Sequence, residues 1–503
     1  MRESFRSHIV LYLLAAGALA IVLIRACIQS MTIDEATSIV IYVGGVPAGM
    51  HWYPASGNHV LQSALAKVFA SIFGINEVTA RAPAILGAIV YIASAFYFCL
   101  LITARKFLRW LLFAFLVYNP LILDYLIAGR GYALAIGFQL AALCMLTKMV
   151  LGAGGDRLAF HARWASFFVG ISFCSNFSFA YADAIIMAGF FLWASTTALK
   201  SQLGYLRLAE CCFLPGILTA IDICGPTLWD FPRSQLYFGS TSLREMWHSV
   251  ISATFDELNP DILNRWMMAA LRMVRNKLPI ASVVAFVAMW AFIEWQRVRS
   301  RKQNTDPRVT LLRLVSTMGL VAFLFHWIAF RAAQIPLPAA RTALMLVLLW
   351  CVAFSTALAV RAESARFDPP GAFAAGVLIL SVGYFAGCLR LGYFKEWQFD
   401  ADTKQLYWLV NDLRTRCGIK KFGIDWRYSG ALDFYRLAYG NFSIPNFDAE
   451  DSSNLPKDRD AYVIFLPTSQ DFVKEQQLKV TYGNPETGAG VAIRGCEADS
   501  SAR

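Results

Sequence analysis

The chain has 503 residues, of which 57% are hydrophobic and 16% are charged, and its mean hydropathy is +0.49. Soluble proteins carry about 25% charged residues, so this composition excludes an ordinary soluble domain and predicts a polytopic membrane protein. The net charge of +11 comes from Arg and Lys that cluster in short connectors between apolar runs. That pattern orients membrane proteins and argues against nucleic acid as a partner.

Apolar runs predict about eleven membrane-spanning helices, because crossing the bilayer takes about 20 apolar residues. Basic residues cluster in every second connector, so we expect a cytoplasmic N-terminus and an extracytoplasmic C-terminus. The first run lacks a signal-peptide cleavage site and predicts an uncleaved anchor. In chain order the runs cover residues 9–28, 82–102, 107–127, 131–151, 164–177, 182–199, 208–225, 279–295, 311–330, 342–361 and 371–390.

The pattern predicts a membrane domain over residues 1–390 and a small extracytoplasmic domain over residues 391–503. Two long outer loops, 29–81 and 227–278, interrupt the membrane domain, and the first contains a short amphipathic stretch at 59–73 that suits the membrane interface. In the tail, three strand-like runs alternate with two helix-like runs, which predicts an α/β fold. The strand-like runs are 422–426, 461–466 and 491–493, and the helix-like runs are 403–416 and 431–439.

The tail also carries aromatic residues and two cysteines with open roles. The aromatic side chains either stack on sugar faces or fill a small core. The cysteines, Cys417 and Cys496, are candidates for a disulfide in an oxidising compartment. The aromatic residues are Trp397, Trp408, Trp426, Tyr428, Phe434 and Tyr435.

An acidic pair, Asp34 and Glu35, follows the first predicted span. Thr32 with Glu35 three residues later matches a capping box, which accounts for Glu35 without any catalytic role. Asp34 is not needed for that cap. A carboxylate in this position suits a general base or a ligand for a divalent cation beside a phosphate.

Further polar residues gather at predicted outer ends of spans. His59 is a candidate metal ligand or substrate contact, or a satisfied structural histidine. Arg81 precedes a proline at the start of the second span, where an ordinary helix start explains it equally well. Arg130, in the connector before Tyr132, departs from the positive-inside pattern and suits a bidentate phosphate contact. Arg341 lies in a proline-rich connector and either snorkels or binds the same anion.

These residues, in this order, resemble the GT-C superfamily of polyprenyl-phosphate-dependent glycosyltransferases, in particular the bacterial protein mannosyltransferases and aminoarabinose transferases. Each motif is weak alone, and the resemblance rests on their combined order, spacing and common outer placement. The motifs are Asp34-Glu35, Tyr53-Pro54, Asn58-His59, Arg81-Ala82-Pro83 with Gly87, Asn119-Pro120, Ala128-Gly129-Arg130-Gly131-Tyr132, and the segment Pro336–Leu344 with Arg341.

The resemblance implies a GT-C-like fold in a bacterial inner membrane and an inverting transfer of a hexosyl or pentosyl group. The donor is a polyprenyl-phosphate-linked sugar, and the acceptor is a glycan, a lipid or a protein. Asp34 would be the catalytic carboxylate, acting directly or through a divalent metal such as Mg²⁺ or Mn²⁺, with Glu35 and His59 in support. Arg81, Arg130 and Arg341 would stabilise the phosphate, and His59 and Tyr132 would also bind the substrate. The isoprenoid chain would lie in a groove open to lipid.

Two other classes of function stay open at this stage. A lipid-linked substrate transporter or flippase would carry the same membrane topology, but its coupling residues are expected near the bilayer midplane. A non-catalytic envelope assembly protein would bind a partner through residues 391–503 and would not need Asp34 or Arg130.

Overall fold

The computed structural model describes residues 2–47, 49–152, 157–198, 204–230, 232, 238–300, 306–362, 368–451 and 455–495. In these residues, nine helices are long and apolar enough to cross a membrane, by length and composition. The predicted fold class, a helical polytopic membrane protein with a small C-terminal α/β part, is confirmed. The helices are α1 Arg2–Ile28, α2 Ile33–Tyr42, α3 Val60–Phe73, α4 Glu77–Ile102, α5 Lys106–Val117, α6 Pro120–Tyr125, α7 Tyr132–Val150, α8 Leu158–Ser175, α9 Ala180–Ala198, α10 Tyr205–Trp229, α11 Leu243–Thr254, α12 Arg265–Arg275, α13 Leu278–Ser300, α14 Pro307–Ala333, α15 Leu344–Ala362, α16 Pro369–Gly387, α17 Thr403–Cys417, α18 Trp426–Ala438 and α19 Leu466–Glu475.

One predicted span, 107–127, is wrong as a single helix. The structure divides it into α5 and α6. Pro120 cannot donate a hydrogen bond to the preceding turn, and the side chain of Asn119 accepts from the N–H groups of Leu121 and Ile122 at 3.1 and 3.4 Å. This side-chain cap starts a new helix at Pro120. The amphipathic stretch at 59–73 is confirmed as the short helix α3.

The tail contains a four-stranded sheet in the order β1-β2-β4-β3. Strand β1 runs parallel to β2, and β4 runs antiparallel to both β2 and β3. The three predicted strands are confirmed as β1, β2 and β4, whereas β3 and helix α19 were not predicted. Strand β3 is an edge strand with mostly exposed residues, so it has no apolar signature. The strands are β1 Phe422–Ile424, β2 Ala461–Phe465, β3 Lys479–Gly483 and β4 Ala489–Ile493.

The chain forms two compact units. Unit 1 comprises Met1–Leu23, Pro54–Leu61 and Ala84–Leu389, and unit 2 comprises Ile24–Tyr53, Gln62–Pro83 and Arg390–Arg503. Most of the first loop and the whole tail therefore belong to the same compact unit.

Close backbone contacts between helices hold unit 1 together. A Cβ added at Gly87 of α4 would lie 2.3 Å from the main-chain nitrogen of Leu134 in α7, and one at Gly137 would lie 2.6 Å from the carbonyl oxygen of Gly87. Gly170 of α8 and Gly216 of α10 make a similar approach. Small residues at such crossings are the usual means by which membrane helices pack, since lipid supplies no hydrophobic drive between them.

In unit 2, helix α2 of the first loop packs against α18 of the tail. A Cβ added at Gly430 would lie 2.6 Å from the hydroxyl oxygen of Thr37, so α18 needs a glycine at this contact.

The structure partly answers both open questions about the tail, the role of its aromatic residues and the pairing of its cysteines. Trp397, Tyr428, Phe434 and Tyr435 are buried in the core, whereas Trp408 and Trp426 are about half exposed. Cys417 is disulfide-bonded, and Cys496 lies outside the described residues.

Candidate active site

The acidic pair lies in the first turn of α2. Thr32 is the N-cap: its hydroxyl accepts from the N–H of Glu35 at 3.3 Å, and Glu35 Oε2 accepts from the N–H of Thr32 at 3.1 Å. The capping box is therefore confirmed. Glu35 is buried, whereas Asp34 remains partly exposed, at a helix end that favours negative charge.

Arg81 makes a bidentate ion pair with Glu35. Its Nε donates to Oε1 at 2.9 Å and its Nη2 donates to Oε2 at 2.7 Å, and both side chains are at most 1% exposed. The remaining three N–H groups donate to the main-chain carbonyls of Ala26, Gln29 and Ser30 at 2.8–3.3 Å. All five donors of the guanidinium are thus used within unit 2, so this geometry leaves none for a phosphate. It favours a structural role for Arg81, which holds the loop in place, and not the predicted role in binding substrate.

Asp400, which was not predicted from the sequence, also holds α2. Its Oδ2 accepts the main-chain N–H of Ile33 at 2.7 Å. Asp400 is 367 positions from Ile33 in the chain, and no local motif marks such a contact. Asp400 lies in the largely polar segment 397–404, where a further aspartate carries no specific signal.

In unit 1, the structure brings together four residues that the sequence predicted separately. His59 lies beside Tyr132, with 5.6 Å between ring centroids. Burial lowers the pKa of His59 well below its usual 6.5, and the positive charges of Arg130 and Arg341 lower it further. His59 is therefore neutral at pH 7. Its Nε2 is buried and has no hydrogen-bond partner among the described residues. We call His59, Arg130 and Arg341 the arginine cluster.

Local backbone geometry places Arg130 in the cluster. Its Nη1 donates to the carbonyl of Gly57 at 3.0 Å. The next residue, Gly131, has φ +72°, and a Cβ there would lie 2.1 Å from the carbonyl oxygen of Ser175 and 3.0 Å from Cβ of His59. Only glycine fits both the left-handed conformation and the space, so Gly131 lets α7 begin directly beside His59.

Arg341 enters the cluster from a single 3₁₀ turn, Ala340–Ala343, just before α15. Its guanidinium lies 4.2 Å from the ring centroid of Phe238, a cation–π contact that limits its motion. Phe238 is in the second predicted loop and was not identified from the sequence, since a single aromatic residue in a loop carries no specific signal.

Other ionisable residues near predicted outer ends have partners elsewhere. Asp183 accepts a hydrogen bond from Nε2 of Gln139 at 2.9 Å inside unit 1. His326 is buried, and its ring stands perpendicular to that of Tyr181 at 4.9 Å between centroids.

The predicted metal ligands, Asp34 and His59, belong to different compact units, and a cation site that they share stays a prediction. No group of three or more His, Cys, Asp or Glu side chains within the described ranges is arranged to hold a metal ion. The positive charges of two guanidinium groups also act on His59, and such charges repel a divalent cation.

No family model and no curated protein matches the chain. Among solved structures it is similar to ArnT from Cupriavidus metallidurans in the apo state, at 12% identity over 96% of this chain and 97% of that chain, with a TM-score of 0.41. The same protein bound to undecaprenyl phosphate gives 12% identity, the same coverage and a TM-score of 0.40.

The chain is also similar to the Archaeoglobus fulgidus oligosaccharyltransferase in complex with Zn and sulfate, at 12% identity over 92% of this chain and 69% of that chain, with a TM-score of 0.42.

The ion pair of Arg81 and Glu35 generates a stability prediction. Replacing Arg81 with Ala leaves a buried carboxylate without its cation, which costs about 3–5 kcal/mol. Arg163→Ala is the matched control, because its 3.4 Å pair with Glu210 is about half exposed and such pairs contribute about 0–1 kcal/mol. Unfolding of the purified variants in detergent measures both. Equal stability of the two variants would contradict the role given to Arg81.

Proposed function

We propose that the chain is a membrane glycosyltransferase that takes a hexosyl or pentosyl group from a polyprenyl-phosphate donor and transfers it, with inversion, to an acceptor at the extracytoplasmic face. Support comes from the polytopic helical fold, from the partly exposed Asp34, and above all from the arginine cluster. The acceptor is a glycan, a lipid or a protein that offers a hydroxyl or phosphate oxygen.

The arginine cluster is the observation that carries the proposal. Two guanidinium groups from distant parts of the sequence both act electrostatically on one buried, neutral histidine. Guanidinium matches the oxygen geometry of a phosphate, and its positive charge stabilises the charge that develops on a leaving phosphate. A neutral histidine offers a hydrogen bond without repelling the two arginines. Tyr132 packs beside the His59 ring and restricts its orientation.

Asp34 is proposed as the catalytic carboxylate. It accepts the proton of the acceptor hydroxyl while the acceptor oxygen forms a bond to the anomeric carbon. The bond between that carbon and the phosphate oxygen breaks on the opposite face, and the polyprenyl phosphate leaves with the electron pair. Displacement from the opposite face inverts the anomeric centre. Glu35 supports this step indirectly, because its ion pair with Arg81 holds the turn that carries Asp34.

Localisation in a bacterial inner membrane, with a cytoplasmic N-terminus and an extracytoplasmic tail, is part of the proposal. The positive-inside pattern supports this orientation. The disulfide at Cys417 supports it too, since disulfides persist in oxidising compartments and are rare in the cytosol.

Replacement of Asp34 tests the catalytic role. Asp34→Asn keeps the size of the side chain but removes the base, so we expect turnover to fall about 10²- to 10⁴-fold with an unchanged melting temperature. Transfer of labelled sugar from a polyprenyl-phosphate donor by the purified variant is the measurement. Asp412→Asn is the matched control, because Asp412 makes an exposed ion pair with Arg416 within α17. Turnover by Asp34→Asn close to that of the control would sink the catalytic assignment.

Replacement of Arg130 or Arg341 tests the phosphate-binding role. A hydrogen bond to a charged group contributes about 1.5–3 kcal/mol, so each Ala variant should raise the KM for the donor about 10- to 100-fold. Lysine should restore only part of the loss, because it keeps the charge without the two-pronged geometry. Arg272→Ala, an exposed arginine of α12, is the control. Donor KM values equal to the control would contradict this assignment.

A further inference from the structure

Within unit 2 the tail makes hydrogen bonds to the segment that leads to Asp34. The hydroxyl of Ser30 donates to the carbonyl of Ala401 at 2.6 Å, and the main-chain N–H of Met31 donates to the hydroxyl oxygen of Tyr435 at 3.0 Å. The hydroxyl of Thr403 donates to the carbonyl of Met31 at 3.1 Å. Side chains and backbone of the tail thus satisfy the polar groups of the loop directly before α2.

Asp400 makes the contact nearest to the proposed catalytic residue. It accepts the N–H of Ile33, the residue immediately before Asp34. A helix leaves the N–H groups of its first turn without internal partners, and a carboxyl oxygen of Asp400 accepts from one of them. Asp400 is only 1% exposed, so its geometry is set by the protein and not by solvent.

The turn that carries Asp400 is itself anchored beside the buried ion pair. Trp397, which begins this turn, is 5% exposed, and its ring meets that of Phe394 edge-on at 5.9 Å. The guanidinium of Arg81 lies 5.5 Å from the ring centroid of Phe394. The position of Asp400 is therefore tied to the same guanidinium that holds Glu35.

The protonation of Asp400 makes asparagine an informative replacement. Burial raises the pKa of Asp400 well above its usual 3.8, and the carboxylates of Asp34 and Glu35 raise it further, against the opposing effect of the Ile33 N–H. Tyr428 of α18 also faces this region, and its buried hydroxyl has no hydrogen-bond partner among the described residues. An amide at position 400 would keep the acceptor oxygen without adding charge.

We propose that Asp400 is a positioning residue for sugar transfer: by fixing the first turn of α2 it fixes the carboxylate of Asp34. On this view the tail contributes to the reaction through the backbone of the first loop. The inference rests on the proposed function of Asp34 and adds a residue that neither composition nor motif identifies.

The test compares Asp400→Ala with Asp400→Asn in the full-length protein. Since a displacement of about 1 Å at a reacting group costs about 10²-fold in rate, we expect Asp400→Ala to lower kcat about 10- to 100-fold with the donor KM changed less than about twofold. Asp400→Asn should restore kcat to near the wild-type value. Asp402→Ala is the matched control, because Asp402 accepts from Asn484 and Thr487 within the tail and should leave kcat unchanged.

Hydrogen exchange at the Ile33 amide supplies a readout that does not depend on activity. It should quicken in Asp400→Ala and stay slow in Asp400→Asn. If Asp400→Ala fails to fold, Thr403→Val, which removes the bond to Met31, should show the same fall in kcat. An unchanged kcat in Asp400→Ala, or equal losses in the Ala, Asn and Asp402 variants, would overturn the positioning role.

The same experiments separate this inference from the proposed function. If Asp34→Asn retains full turnover, the proposed function fails together with the positioning role. If Asp34→Asn loses turnover and Asp400→Ala does not, only the positioning role fails.

Discussion

The burial of one guanidinium, that of Arg81, constrains the loop on which the proposed chemistry depends. An uncompensated charge at such a site would cost several kcal/mol, and the chain meets it with five acceptor bonds. Two come from Glu35, one from the carbonyl of Ala26 in the last turn of α1, and two from the carbonyls of Gln29 and Ser30, which precede α2. Because these acceptors surround a single rigid fork, placing Arg81 also places the first turn of α2. The ion pair between Arg81 and Glu35 therefore also holds Asp34, the residue next to Glu35, in place. Asp34 itself need not take part in that ion pair.

This arrangement distinguishes residues that hold the loop in place from residues that are proposed to take part in the reaction. The sequence predicted Glu35 and Arg81 as candidates for catalysis and phosphate binding, yet the structure shows them hydrogen-bonded to each other, to Thr32 and to the backbone. The arginine cluster of unit 1 is different in kind, since its two guanidinium groups act on a buried, neutral histidine. Such preorganised positive charge can stabilise a leaving phosphate without reorganisation during the reaction. That Asp34 acts with this cluster on one phosphate stays a prediction.

The sequence predicted best where the signal is local or periodic. Run lengths identified most of the apolar helices, and the spacing of Thr32 and Glu35 identified the capping box. At Pro120 a helix-breaking signal was visible, but the hydropathy of the whole run outweighed it. The contacts of Arg81 and Asp400 could not be predicted, because they join residues 46 and 367 positions apart. Such contacts depend on how the helices and the tail pack in three dimensions, and no local pattern in a single sequence indicates them.

The most direct test of sugar transfer is mass spectrometry of lipids and surface glycans in cells that lack this protein. The proposal predicts accumulation of a polyprenyl-phosphate-linked sugar together with a glycan, lipid or protein that lacks that one sugar. Wild-type protein should reverse both changes, and the Asp34→Asn variant should reverse neither. Unchanged polyprenyl-phosphate sugars and intact surface glycans in the deletion strain would contradict the assignment of this chain as a glycosyltransferase.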